Sequence, residues 1–487
     1  MKRIIVIVLI ISLMFALVGC EAVIDPQTSV LGAYVQDEQQ QQETIQKTEM
    51  SALYYKDMDT NPVTTTCYAN SEILKLVYCP LIRTDDNFKP YCVLAENYVQ
   101  SGLTLTVKLR SDLLFSDGTA VTAADVVKSF DAAKKNTGSP YNRQVNLMER
   151  YYAEDDLTFV CILQQQVLES AALLDIPIMK NGESGIGCGP YIFSQINGKN
   201  VLVVNESYFE TPSVPVIYLL ETKNDENITS LFSAGELDII LAAQNSSLSL
   251  TSLRDYSIIS YPSNNFIYIG INFANEKLAD PTVRRALSKA IDRDSIASQS
   301  LVGLADSAEY PFNPNWYCMD NITAKYTDDV NLSVLGDLSF SMAIPSGSDI
   351  KKTVAQGISD SLKACGVTLN IIELDPAQFE VQVKNGAYDL YLGETAISRT
   401  MDPTFLYASG AALNYGGYSD AELDAAFLQF KNSEITLMQY LDQFSSRMPV
   451  IPVVFRKNVI YCDKNITGFT MQSPWNSFGN FLSVRLT

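Results

Sequence analysis

The 487 residues contain no histidine. Without an imidazole, Ser-His-Asp triads, Cys-His nucleophile pairs, His-ligated zinc and His-based proton shuttles are excluded together. The Ser-x-x-Lys at Ser348 to Lys351 lacks the Ser-Asp-Asn and Lys-Thr-Gly companions of a penicillin-interacting enzyme, and neither a P-loop nor a Gly-x-Gly-x-x-Gly run occurs. Besides Cys20 there are Cys67, Cys79, Cys92, Cys161, Cys188, Cys318, Cys365 and Cys462, with no Cys-x-x-Cys among them. That spacing does not build a zinc site, and it leaves the disulfide state open. A formal charge of −20 repels nucleic acid and anionic lipid and favours cationic ligands only at long range. No constellation for turnover remains, so the chemistry to look for is binding.

A hydrophobic content of 47% with 18% charged residues excludes a disordered chain. Single cores stop growing near about 250 to 300 residues, so at least two lobes are expected. The crossing between them is expected at Asn264 to Asp294. There Phe266, Tyr268 and Gly270 fall on one face and Ile267, Ile269 and Ile271 on the other, as in a strand buried on both sides. Asp280-Pro281 then supplies an N-cap and a first-turn proline for a helix carrying Val283, Ala286, Leu287, Ala290 and Ile291.

Elsewhere a turn at Asn61-Pro62 precedes a helix from about Ser71 to Tyr78, with a hairpin around Asp85-Asp86-Asn87. Leu103 to Leu109 alternate as a strand, Ser116-Asp117-Gly118 turns, and Thr122 with Asp125 caps a helix. Ile350 to Cys365 form an amphipathic helix ended by Gly366, followed by a strand through Val367, Leu369 and Ile371. Pro449 and Pro452 are expected to confine an edge segment before Val453 to Cys462 recross the hinge.

At the N-terminus Lys2 and Arg3 precede an apolar run from Ile4 to Val18, shorter than the roughly 20 residues a bilayer core requires. Residues 1–19 therefore read as a signal peptide. The ending Leu17-Val18-Gly19-Cys20 resembles the site at which bacterial lipoproteins are acylated and cleaved, which makes Cys20 the lipidated mature N-terminus. Residues 20–50, with the polar run Asp37 to Glu43, read as a flexible tether that holds the body to the extracytoplasmic face of the cell membrane.

Four stretches carry a wider resemblance: IGINFANEKLADPTVRRALSKAIDRDSI, LTLTVKLRSDLLFSDGTAVTAADVVKSFDAAKK, GIGCGPYIFSQINGKNVLVVNESYF and AYDLYLGETAISRTMDPTFLYASGAALNYGGYSD. They resemble the signatures of the family 5 extracellular solute-binding proteins, the peptide- and nickel-binding lipoproteins of ABC importers. Departures are Ser116 and Cys188 where relatives often carry histidine and threonine, and a tryptophan and aspartate not clearly present in the last stretch. The resemblance implies an α/β fold of the periplasmic binding protein class II type, two lobes joined by a two-strand hinge. The first lobe is discontinuous: 51–265, with an extra subdomain at about 67–185, then 266–458 as the second lobe and 459–487 as the return. It also implies that the loop after Asn61-Pro62 lines the ligand cleft, placing Thr64, Thr65, Thr66, Cys67 and Tyr68 beside the ligand.

In peptide-binding relatives an acid of the last stretch pairs with the peptide's ammonium group, for which Glu394 and Asp402 are the two acids available; an ammonium without a partner in a cleft is costly. Asp402 reads equally as an Asp-Pro turn bonded to its own backbone. Arg284 and Arg285 read as a helix face paired to acids in preference to ligand contacts. The function expected is capture of oligopeptides in the interlobe cleft and delivery to the transmembrane subunits of an ABC permease, by a monomer with no catalysis, cofactor, metal or nucleic acid. The alternatives are the same fold binding a metal chelate, haem or sugar, and a surface peptide-sensing or adhesion module without transport.

Overall fold

The computed structural model describes residues 47–55, 59–222, 227–242, 255–322 and 330–487. The expected signal peptide, Cys20 and residues 21–46 of the expected tether lie outside the described residues.

The crossing segment is one strand of 16 residues, Tyr256–Ile271, longer toward its N-terminus than the sequence pattern indicates. It pairs antiparallel with Leu390–Ala396 on one side and with Ile451–Asp463 on the other. Around these three the sheet continues in both directions. Beyond Leu390–Ala396 come Ser339–Pro345 and Thr368–Leu374; beyond Ile451–Asp463 come Ile239–Ala242, Glu49–Tyr54, Val216–Glu221, Lys199–Val204 and Tyr191–Ile196. Parallel pairs, among them Ser339–Pro345 with Thr368–Leu374 and Glu49–Tyr54 with Val216–Glu221, require helical or long crossovers, which makes the architecture α/β.

One sheet serves two cores. The first is built from residues between Met50 and Tyr261 and rejoined from Ile460 to Val484; the second runs from Phe266 to Phe455. Phe88, at the tip of the hairpin Ile82–Thr84 and Pro90–Cys92, is buried in the second core although its strands belong with the first. A separate antiparallel sheet, in the order Ala95–Ser101, Thr104–Leu109, Thr158–Leu163 and Met148–Asp155, is covered by the helix Ala123–Lys135. That helix starts with the capping box read from the sequence, Asp125 Oδ2 accepting from the Thr122 amide at 3.0 Å and hydroxyl at 2.7 Å.

The two hinge strands do not pair without interruption. Between Pro262 and Phe266 three residues, Ser263 to Asn265, face Arg456 alone, and Val453 is an extra residue on the opposite strand. Side chains take over at the first of these breaks. Ser263 Oγ donates to the Arg456 carbonyl and Asn313 Nδ2 to the Ser263 carbonyl, each at 2.7 Å, while Asn264 Nδ2 donates to Ile397 O at 3.0 Å. Further along, Gly270 lies opposite Tyr391 and Gly393 opposite Tyr268. A Cβ at Gly270 would meet the Tyr391 ring at 1.9 Å, and one at Gly393 the Tyr268 ring at 2.4 Å, so each ring covers the other strand's glycine.

Three expectations need correction. The segment after Pro449 is not an edge: Ile451–Asp463 is central in the sheet, and Pro452 is accommodated because it sits at the Val453 bulge, where a missing N–H interrupts no regular ladder. Arg284 is not paired to acids. It is buried and donates to backbone carbonyls, at 2.9 Å to Met448 and Leu278, 2.7 Å to Ala279, and also to Arg447. Burial among these neutral acceptors lowers its pKa to about 10, and its guanidinium lies 4.9 Å over the Phe273 ring. The folded body starts before residue 51, because Lys47 already pairs with Asp238 and the strand Glu49–Tyr54 belongs to the sheet, so residues 47–50 are not part of a tether.

Candidate functional site

A cavity of about 650 Å³ opens between the lobes. Its walls come from residues 62–75, 140–173 and 474–475 on the first lobe and from 396–411 on the second. The first wall is shaped by the Asn61-Pro62 turn: Asn61 Oδ1 accepts from the Val63 amide at 3.0 Å, and the Asn61 carbonyl from the Thr65 amide at 3.0 Å. The helix then begins at Tyr68, three residues earlier than the sequence reading placed it. Tyr68 and Tyr261 both bond the Ser477 hydroxyl, at 2.8 and 2.7 Å, which ties this wall to the C-terminal segment.

The second wall leaves the sheet at Ala396. Met401 takes a left-handed φ of 51°, a strained conformation for methionine, and Asp402 follows. Asp402 Oδ1 accepts from the Thr404 amide at 2.9 Å and hydroxyl at 2.5 Å. The Asp-Pro turn is therefore present, and Oδ2 accepts no hydrogen bond among the described residues.

The lining charges differ in how far they are already paired. Glu72 is buried, paired with Lys75 and accepting from the Ser477 amide at 2.8 Å. Arg399, from the second lobe, pairs with Asp175 of the first and stacks over the Trp475 ring at 4.7 Å. Asp402 keeps one oxygen open, and Arg143 makes no hydrogen bond or ion pair among the described residues.

Of the residues singled out from the sequence, Thr65, Thr66, Tyr68 and Asp402 line this cavity. Cys67 does not; it precedes the helix as its N-cap. Glu394 does not either: it is a strand residue, not a loop residue, 13% exposed, bonded to Arg456 at 2.8 Å and paired with Lys351 at 3.3 Å. Desolvation raises its pKa, yet the two cations outweigh it and the net shift is downward. The Ser-x-x-Lys also has a structural explanation, since Ser348 Oγ caps the helix Asp349–Lys363 and Lys351 serves Glu394.

Sequence reasoning missed Asp175, Arg399, Trp475, Arg143 and Gln144. Two signals were available: Arg399 lies three residues before Asp402, and Trp475 is one of only two tryptophans in the chain. The eight described cysteines are free thiols, and no group of three or more metal-ligating side chains occurs among the described residues.

A two-lobe α/β body with a cavity walled by both lobes is the architecture of a solute-binding protein, and the chain belongs to the bacterial extracellular solute-binding proteins, family 5, whose middle region it matches over residues 89–417. Among relatives it is similar to the oligopeptide-binding protein AppA of Bacillus subtilis (strain 168), 23% identical over 416 residues, covering 75% of this chain and 77% of that one. It is also similar to the glutathione-binding protein GsiB of Pectobacterium atrosepticum, 25% identical over 447 residues, covering 82% and 86%. Among solved structures, the periplasmic murein tripeptide binding protein MppA in its unliganded open form superposes with a TM-score of 0.75 at 18% identity, covering 90% of this chain and 97% of that one.

Proposed function

We propose that the protein is the substrate-binding lipoprotein of an ABC importer, tethered by an acylated Cys20, which captures oligopeptides between its lobes and presents them to the transmembrane subunits of a permease. The observation that carries this reading is the cavity itself. It is of ligand size, lined by both lobes, and most of its charges are neutralised in place, so what it offers a guest is polar groups, apolar surface and the open oxygen of Asp402. That suits a peptide main chain, whose ammonium group Asp402 takes. The relatives named for oligopeptide, glutathione and murein tripeptide support the same class. A ligand that touches both lobes stabilises the closed form, which is the form a permease reads, and no bond is made or broken.

The test is a thermal-shift screen of the full chain against peptides, metal chelates and oligosaccharides. Peptides at 100 times their Kd should add about 2.7 kcal/mol to the folded state. Stabilisation by sugars or chelates with none by peptides of any length removes the peptide assignment. Asp402→Asn should weaken peptides with a free amino terminus at least about a hundredfold, roughly 2.7 kcal/mol, and leave acetylated ones little changed.

A further inference from the structure

A second cavity, of about 460 Å³, also lies between the lobes, walled by Gln100 and Gln166 to Glu169 of the first and by Trp316 to Cys318 and Phe430 of the second. Glu169 is 5% exposed, and its partners are on the opposite lobe: Trp316 Nε1 donates to it at 2.9 Å, and the Tyr317 hydroxyl bonds it as well. The same turn of the second lobe holds the first lobe's hairpin, the Tyr317 amide donating to the Asn87 carbonyl at 3.0 Å. A carboxylate buried in such a contact is expected to face a cation, as Asp175 faces Arg399. Glu169 faces none. Lys431 lines the cavity without pairing with it among the described residues. The other titratable groups set against it, Tyr317, Cys318 and Tyr98, are all pushed up by burial, Cys318 to about 11, and stay neutral through the physiological range. The contact thus supplies hydrogen bonds for a carboxyl group but no charge to balance a carboxylate.

We propose that Glu169 is a proton-operated latch between the lobes: with a proton it stays seated against Trp316 and Tyr317 and favours the closed arrangement, and without one it draws water into the contact and favours the open arrangement. Protonated, it still accepts from Trp316 through its carbonyl oxygen. Ionised, it is hydrated only when the second lobe moves off it, because Trp316 and Tyr317 cover it from that side. Desolvation pushes its pKa in the closed form up to about 7, against about 4.3 once exposed, so closure takes up a proton. The closed-to-open ratio is then highest below about 4.3, falls as pH rises through the interval and levels off above about 7. Full exposure on opening would lower it about 30-fold between pH 5.5 and 8. A chain without histidine has no ordinary side chain that titrates in that range. Any ligand that requires the closed form inherits the same dependence.

The experiment is small-angle scattering of the full chain, without ligand, from about pH 5.5 to 9, beside Glu169→Gln and Glu169→Leu. The radius of gyration of the parent should rise with pH and level off above about 7, while both variants, uncharged at residue 169 at any pH, keep one value throughout. Tryptophan emission locates the change. In Trp475→Phe the one remaining tryptophan is Trp316, and its quenching by acrylamide should rise in step with the radius, a rise that adding Glu169→Gln abolishes. An unchanged radius in the parent overturns the latch, and so does the same rise in a folded variant. Quenching that rises while the radius stays constant shows a local titration and overturns it too. A radius that goes on rising above about pH 8 belongs to another group and overturns it even if neither variant folds. No ligand is added, so the peptide reading stands or falls separately.

Discussion

The contact between Asp175 and Arg399 joins the lobes across the cavity, and its strength can be worked out. Each side chain is 12% exposed, so neither charge is screened as a surface pair would be. Removing one member of a buried pair costs about 3 to 5 kcal/mol because the other is stranded. The residual exposure and the open cavity beside it bring Asp175→Asn to about 2 to 3 kcal/mol. Arg399→Gln should cost about 0.5 to 1 kcal/mol more, since it also removes the guanidinium from the face of Trp475. The double variant strands nothing and should fall well short of the sum, with a coupling of about 1 to 3 kcal/mol. Denaturant melts of the four proteins in the cycle give that coupling. Small-angle scattering of the same four should show the unliganded lobes further apart in each variant. Additivity within about 0.5 kcal/mol, with unchanged scattering, would refute the argument that this pair holds the lobes together.

Three further outcomes follow from side chains away from the cavity. Glu394→Gln should destabilise by about 3 kcal/mol by removing the buried carboxylate that Arg456 and Lys351 share, and peptide affinity should hold once the protein is folded; a folded variant that loses peptide would return Glu394 to the site. Because the folded-state pKa of Glu394 is depressed, its stabilisation is present above about 4.3, the unfolded value, and is lost as pH falls through the lower folded value; the variant's melts should lack that acid-limb loss. Glu169 behaves oppositely. Burial pushes its pKa up to about 7 although Trp316 Nε1 donates to it at 2.9 Å, which opposes the shift, so folding favours its protonated form and stability falls as pH rises from the unfolded value of about 4.3 toward 7. Glu169→Gln should recover up to about 3 kcal/mol at pH 8 and nothing at pH 4, read as a melting-temperature difference between the two pH values. Gly270→Ala should cost several kcal/mol, on the order of 3, by forcing Tyr391 from its place, and pairing it with Tyr391→Ala should restore part of the loss.

What the sequence made legible was whatever depends on near neighbours. The crossing strand showed because it is apolar at successive positions, the Thr122 box because its partners are three residues apart, and the Asp402 turn because Asp-Pro is a local device. What it hid depends on the fold to bring distant residues together. Asp175, Arg399 and Trp475 come from three remote segments, and the carboxylate of Glu394 finds Lys351 and Arg456 only once three strands or helices converge. Pro452 misled for a related reason: a proline forbids a regular ladder, and nothing local announces that a bulge waits on the same strand to receive it.

The interruption at Ser263 to Asn265 also limits how the two lobes can move. Tyr261 and Ile460 belong to one core, Phe266 and Phe455 to the other, so both hinge strands change allegiance at the same level of the sheet. At that level the two crossing strands are linked by a side-chain hydrogen bond, from Ser263 Oγ to the Arg456 carbonyl, which can pivot, and not by a regular series of backbone pairs. Translation is another matter. Each crossing strand runs unbroken through both cores, and a slip by one residue would exchange its two buried faces, Phe266 and Tyr268 for Ile267 and Ile269. The sheet thus leaves the lobes a rotational degree of freedom and removes the sliding one, so a ligand entering the cavity needs to select only an angle.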